Sequence, residues 1–216
     1  MSQDYRDGSL KYWEETHKKQ NYDRDSIRVD DWLERFDEII LRTDKPVLDL
    51  GCGCGNDTLY LLDKGKKVLP CDQSVTAIEN IKRNFPEICE TGCFNMLDGF
   101  PYDNDSFDLI IADLCLHYFL KADTEKIIRG IKRILVSGGH LILRVNSVND
   151  VNHGAGQGIE IEHNVYLAEN GTLKRFFDET DIHEFFRDFH IEYINEEVMA
   201  RYSLDKWLYT VCVRYV

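Results

Sequence analysis

The chain has 216 residues, 43 % apolar and 30 % charged, which suits one packed core and excludes a disordered polymer. Lysine and arginine number 26 against 39 aspartates and glutamates, so the net charge is −13, which argues against nucleic acid or an anionic membrane as partner. Seven cysteines without a C-x-x-C pair point to buried thiols in a reducing, cytoplasmic setting, and the polar Met1 to Gly8 stretch and lack of a long apolar run argue against a signal peptide or membrane span.

In chain order, Leu10 to Gln20 and Ile27 to Leu41 carry apolar and aromatic residues at helical spacing, and Thr43 to Pro46 ends that pattern. Val47 to Leu50 reads as a strand and Asn56 to Lys64 as a helix stopped by Gly65. Lys67 to Cys71 is a second strand, and Ser74 caps a helix over Val75 to Asn84. Ile88 to Phe94 is a weaker third strand, and Phe107 to Ala112 a strongly apolar fourth. Thr124 to Leu135 follows as a helix, Ser137-Gly138-Gly139 as a turn, and His140 to Val145 as a fifth strand. After the aperiodic stretch Asn146 to Thr172 come a helix over Asp178 to Arg187 and two strands, Phe189 to Asn195 and Trp207 to Tyr215. Alternating strands and helices predict an α/β, three-layer sandwich around a mostly parallel seven-stranded sheet. The last two strands lack a helix between them, so the last runs antiparallel. Residues 1–45 would form a helical N-terminal cover and 46–216 the main domain.

The sharpest motif is Val47-Leu48-Asp49-Leu50-Gly51-Cys52-Gly53-Cys54-Gly55, at a strand-to-helix turn. Its spacing is G-x-G-x-G, and Asn56 stands where the dinucleotide fingerprint has its third glycine. Asp49 is poorly placed beside a pyrophosphate and suits a ligand with an ammonium and a sulfonium. Asp72 closes the second strand, where a carboxylate can accept from both hydroxyls of a ribose.

Residues 47–55 and Val68-Leu69-Pro70-Cys71-Asp72-Gln73-Ser74 resemble the first two motifs of class I S-adenosylmethionine-dependent methyltransferases. Phe100 to Ile110 is similar to the segment leading into their fourth strand, and Leu116-His117-Tyr118-Phe119 to the stretch after it. The resemblance runs over residues 47–145. It implies that Asp49, Gly51, Cys52, Gly53 and Gly55 surround the methionine part of S-adenosylmethionine. It also implies that Asp72 holds the ribose and that Gln73, Asn95 and Met96 flank the adenine. The family's usual acid at the end of the third strand is absent here, leaving Asn95, with its amide oxygen, or nearby Asp98 as substitute.

Asp113, His117 and Tyr118, after the fourth strand, are the candidate catalytic residues. Asp113 is also a candidate cofactor contact, and His117 is the natural general base. Asn146 to Thr172 reads as a flexible substrate lid. Acceptor candidates are Tyr12, Asn146, His153, His163, Tyr166 and Arg201. His153 and His163 with Glu160 or Glu162 match no metal-binding spacing, so no metal is expected. Size and charge favour a small-molecule methyl acceptor and a monomer or homodimer. The general layout resembles the tellurite-resistance and thiol methyltransferases. The alternatives are a protein or RNA methyltransferase with a partner subunit, or a non-catalytic cofactor-binding module.

Overall fold

The computed structural model describes residues 2–20, 23–199 and 201–216. Ten strands and six α-helices follow in chain order among the described residues. They are α1 (Ser2–Lys19), α2 (Asp37–Arg42), β1 (Val47–Leu50), α3 (Asn56–Asp63), β2 (Val68–Asp72), α4 (Val75–Asn84), β3 (Gly92–Cys93) and β4 (Phe107–Asp113). Then come α5 (Lys121–Ile134), β5 (Leu135–Asn146), β6 (Ile159–Glu162), β7 (Val165–Leu167), β8 (Leu173–Arg175), α6 (Glu179–Phe185), β9 (Phe189–Met199) and β10 (Lys206–Tyr215).

Seven strands form one sheet in the order β3-β2-β1-β4-β5-β10-β9. β1 pairs in parallel with β2 on one side and β4 on the other. The chain winds outward from β1 to β3, then crosses back to begin again at β4. The crevice beyond the carboxyl ends of β1 and β4 is therefore the switch point where open α/β sheets bind ligands. β10 lies antiparallel between β5 and β9, as its short connection requires.

Alternation along each strand sends side chains to opposite faces. Ile110 and Ala112 join Leu141, Leu143, Val211 and Val213 beneath α5 and α6. Leu109 and Ile111 pack with Ile142, Cys212, Tyr60 and Leu61 on the other face. Trp32, Leu33, Phe36 and Ile40 complete that second layer. Their segment is a 3₁₀ turn over Asp31–Phe36 running into α2, where the periodicity predicts one continuous helix. The Ser74 hydroxyl caps α4 by accepting from Ala77 N–H at 3.1 Å. Asp178 and Asp181 form a reciprocal capping box on α6.

Two expectations need correction. The third strand shrinks to Gly92–Cys93 and is followed by a 3₁₀ turn, Met96–Asp98. The stretch after β5 is no structureless lid, since β6, β7 and β8 form an antiparallel sheet of their own. Its segments are too short for periodicity to reveal. It is tied to the main body where Arg175 N–H donates to the His117 carbonyl at 2.7 Å and Phe177 N–H to the Asn146 carbonyl at 2.8 Å. Among the described residues no helix is long and apolar enough to cross a membrane.

Candidate active site

A cavity of about 830 Å³ opens at the switch point. Its floor is the glycine loop. Gly51 has φ +74°, and a Cβ there would sit 2.5 Å from the Cβ of Cys115, so only glycine lets β1 and β4 approach this closely. Gly55 has φ +87°, and a Cβ would strike Ile81 and Phe85 at 2.7 Å. Gly55 thus fixes the packing of α3 on α4, and it does not line the cavity.

Asp72 stands at the end of β2 with its carboxylate accepting from Gly53 N–H at 3.1 Å and Ser74 N–H at 2.9 Å. Burial pushes its pKa up, against the backbone N–H groups and the nearby His17 ring. His17 is buried and held below its ordinary range by that burial, against the pull of Asp72 and Glu14. Its ring stacks on Trp13 at 5.6 Å and lies over Gly53, whose Cβ position is 3.6 Å from Nε2. Ser9, Tyr12, Trp13, Thr16, His17 and Gln20 all face the cavity. The first five form one stripe of α1 at helical spacing, and Gln20 follows directly after the helix. Glu14 anchors the helix by accepting from Val75 N–H at 2.6 Å and the Thr76 hydroxyl at 2.6 Å.

Asp49 is 2 % exposed and lies behind the loop, accepting from the Thr58 hydroxyl at 2.5 Å. Burial pushes its pKa up to about 7, against the Thr58 hydrogen bond and with help from Asp113 and Asp72. Asp49, expected beside the methionine part of the ligand, does not itself line the cavity. Asp57, which no motif singles out, lines the cavity and accepts from Trp32 Nε1 at 2.9 Å.

β4 ends at Asp113, and Leu114 follows with φ +50°, a left-handed conformation rare for a leucine. That turn places Cys115, Tyr118 and Phe119 on the cavity wall. Both Asp113 oxygens are taken by Arg144, at 2.6 Å from Nε and 2.7 Å from Nη2. Arg144 is 3 % exposed, stacks over Trp32 at 4.4 Å, and gives its remaining nitrogen to Asp30 at 3.1 Å. Asp113 is thereby a fixed counter-ion rather than a free base.

His117 is turned away. It is 2 % exposed and absent from the cavity wall, with its ring 4.2 Å from that of Tyr118. Burial, then Lys206 and Lys174, hold its pKa well below the ordinary histidine value. The ring expected as general base is therefore packed in the core behind Tyr118, off the cavity wall. Tyr118 does line the cavity, edge-on to Trp13 at 5.6 Å, and burial pushes its phenol well above the usual range.

The cavity brings together Gly51, Cys52, Gly53, Asp72, Gln73, Asn95, Met96, Asp113, Tyr118, Tyr12 and Arg201 of the expected site residues. It leaves out Asn146, His153, His163 and Tyr166. Asn146 is buried and accepts from Lys206 at 2.7 Å. His153 sits behind Tyr202, His163 is exposed in the β6–β7 turn, and Tyr166 packs on Phe176. Asn95 donates to Gln73 at 3.0 Å and accepts from Leu97 N–H at 2.9 Å, so its amide first serves the 3₁₀ turn. Trp13, His17, Arg28 and Tyr202 also line the cavity. Of the α1 stripe, Tyr12 was expected at the ligand, and Trp13, Thr16 and His17 join it there. Among the described residues no cluster suited to a metal ion occurs.

The donor set has a definite preference. Asp49, Asp57, Asp72 and Asp113 surround the glycine loop, and each of the first three is raised in pKa by burial and feels a neighbouring negative charge or hydrogen bond. A pyrophosphate would be repelled there. A nucleoside with a cationic tail fits, and the volume lies within the roughly 300–1,000 Å³ of small-molecule sites.

Comparison with known proteins agrees. Residues 48–143 match the family described as a methyltransferase domain. Residues 48–143 are a class I S-adenosylmethionine-dependent methyltransferase domain. Its cofactor is S-adenosylmethionine, and the fold of this methyltransferase is similar to that of a methyltransferase from Anabaena variabilis, with a TM-score of 0.72 at 18 % identity, covering 97 % of this chain and 94 % of that one. In sequence it is similar to the tRNA N(3)-methylcytidine methyltransferase trm141 of Schizosaccharomyces pombe, 29 % identical over 209 residues and 82 % of each protein. It is also similar to the tRNA N(3)-cytidine methyltransferase METTL2 of Danio rerio, 28 % identical over 171 residues, which are 74 % of this chain and 48 % of that relative. The methyltransferase thus spans about half the length of the METTL2 relative.

These relatives overturn two expectations, a small-molecule acceptor and the exclusion of nucleic acid. The net charge of −13 is an average, and it does not describe the few groups at a cavity mouth. Chain length was a poor guide as well, because a base can enter a cavity whose protein is too small to enclose the whole acceptor.

Proposed function

We propose that this methyltransferase acts on RNA, with ring N3 of a tRNA cytidine as the first candidate acceptor. The observation that carries the reading is an aromatic cavity wall, with the Asp113 carboxylate at the end of β4 locked on Arg144. Tyr12, Trp13, Tyr118, Phe119 and Tyr202 line the cavity, and unstacked bases are held on such faces. Cytosine N3 arrives with its lone pair free at neutral pH, so it needs no general base. Asp113 locked on Arg144 and His117 turned away are consistent with such a nucleophile. The 29 % identity with trm141 across most of both chains points to the same acceptor.

S-Adenosylmethionine supplies an electrophilic methyl group when bound. In this proposal Asp72 accepts from the ribose hydroxyls, Gln73 and Met96 flank the adenine, and Asn95 braces Gln73. The backbone of Gly51, Cys52 and Gly53 follows the methionine. Tyr118 and Trp13 orient the acceptor ring and exclude water. Positive charge develops on a cytosine as it is alkylated, and Asp113 and Asp72 favour that charge without accepting a proton. Residues 1–45 act as the cover that closes the cavity, with α1 over the glycine loop and Trp32 to Ile40 rooted in the core.

The test is to incubate the protein with methyl-labelled cofactor and, separately, tRNA, free cytidine and a panel of thiols and amines. The expected result is label in tRNA, recovered as N3-methylcytidine after digestion. Transfer to a small acceptor with none to RNA would reject the reading.

A further inference from the structure

Two segments far apart in sequence meet at the cavity mouth. One is Ser26, Ile27 and Arg28, ahead of the core-packed turn, and the other is Arg201 and Tyr202 in the β9–β10 connection. Asp30 joins them. Its carboxylate takes Arg201 at 2.8 Å and Arg144 at 3.1 Å. The two arginines differ in environment. Arg144 is buried, with its other donors on Asp113, whereas the Arg201 side chain is 32 % exposed.

Arg28 is arranged differently. Its backbone is anchored, because Asn56 Nδ2 donates to its carbonyl at the start of α3. Its side chain is exposed and lines the cavity, and no carboxylate among the described residues pairs with it. An arginine held by the backbone and left without a partner, in a chain of charge −13, marks a place prepared for an anion.

We propose that Arg28 and Arg201 form a seat for the phosphate of the acceptor nucleotide at the cavity mouth. Arg201 exchanges Asp30 for phosphate oxygens. Asp30 keeps Arg144 as its counter-ion, so no carboxylate is left uncompensated when the exchange occurs. A half-exposed ion pair is weak and easily exchanged, whereas guanidinium binds phosphate through a two-pronged set of hydrogen bonds. The seat holds the backbone outside while the base enters between Tyr118 and Tyr202. It gives an acidic protein a local hold on a polyanion. It rests on the reading of a nucleotide acceptor, and it specifies a phosphodiester rather than a bare base as the recognised element.

The experiment uses the full chain saturated with S-adenosylhomocysteine. Binding of cytidine, cytidine 3′,5′-bisphosphate and a short cytidine-containing single-stranded RNA is measured over a range of salt. The wild type is compared with the R28A/R201A and R28K/R201K variants. The wild type is expected to prefer the bisphosphate to cytidine by about tenfold or more, and the alanine pair to lose that preference. The salt dependence of RNA binding should weaken by about one unit of slope for each arginine removed. The lysine pair should keep part of both effects, since charge remains and the fork is lost. Binding of S-adenosylhomocysteine reports that each variant is folded. A preference that survives in the alanine pair overturns the seat. So does a wild type that shows no preference, including one that binds neither nucleoside nor nucleotide. Phosphate preference without methylation of any RNA cytidine would leave the seat standing and reject the proposed acceptor.

Discussion

The two halves of the cavity are built in different ways. The proposed cofactor half comes mainly from β1, β2 and the turns that follow them, within residues 47–74, with Asn95 and Met96 added after β3. The proposed acceptor half is assembled from α1, residues 26–28, the turn after β4 and the β9–β10 connection. The first kind of site leaves a motif, because backbone strain and close approach demand particular residues at fixed spacing. The second leaves almost none, because its residues are joined by packing and ion pairs across the chain. Arg144 is the contact where the halves depend on each other. It binds Asp113 at the end of β4 and Asp30 in the N-terminal cover.

Breaking that contact should have the largest effect. Arg144→Ala leaves Asp113 and the buried Asp57 without their cation, and it empties the face of Trp32. Removal of one member of a buried charge set costs about 3–5 kcal/mol, so a fall in thermal midpoint of several degrees or more is expected. Calorimetry checks this. A midpoint within about two degrees of the wild type would mean that the acids are compensated by other groups.

Asp72→Ala probes the cofactor half alone. The Asp72 carboxylate accepts two backbone N–H groups and, in the proposed binding mode, the ribose hydroxyls as well. Its loss should weaken S-adenosylhomocysteine by about 100-fold, roughly 2–3 kcal/mol. Asp72→Asn should lose less, since an amide oxygen still accepts. Titration calorimetry with both variants decides. Equal, small losses would place the ribose elsewhere.

His117→Gln then separates the two histidine readings. If the ring is only packing, stability falls by about 1–2 kcal/mol and the pH profile of methyl transfer keeps its shape. Loss of an ascending limb near neutral pH in the variant would restore His117 as a base.

The same contrast explains what could be read before the structure. Seven strands with the last reversed followed from the β-α alternation and from the short link between the final two strands. The glycine loop and Asp72 followed from spacing. His117 misled because its position after β4 was visible, while the left-handed Leu114 that sets which neighbours face the cavity was not. Asn146, His153, His163 and Tyr166 misled for a related reason. Asn146 closes β5, and the other three lie in or beside three strands of three or four residues, too short to show a period. Arg28 left no trace, since an exposed arginine in an acidic chain has no distinguishing neighbour in sequence.

The smallest expected effect comes from Asp49, buried behind the glycine loop with a pKa pushed up to about 7. In the unfolded chain this carboxyl ionises near 4. Between about pH 4 and 7 the unfolded state therefore loses a proton that the folded state keeps. The contribution of Asp49 to stability is full below pH 4, declines as pH rises through 7, and levels off above it. A cationic cofactor should reverse part of that loss by favouring the ionised form. Affinity for S-adenosylmethionine should thus rise by up to about tenfold from pH 6 to pH 8, with release of a proton on binding. S-Adenosylhomocysteine lacks the sulfonium charge and should show a smaller rise. Asp49→Asn should flatten the profile only in part, because burial raises Asp72 and Asp57 in the same direction. A wild-type affinity for S-adenosylmethionine that is flat across this range would show that the charge of Asp49 does not reach the cofactor, and that Asp49 serves the loop only through its hydrogen bond from Thr58.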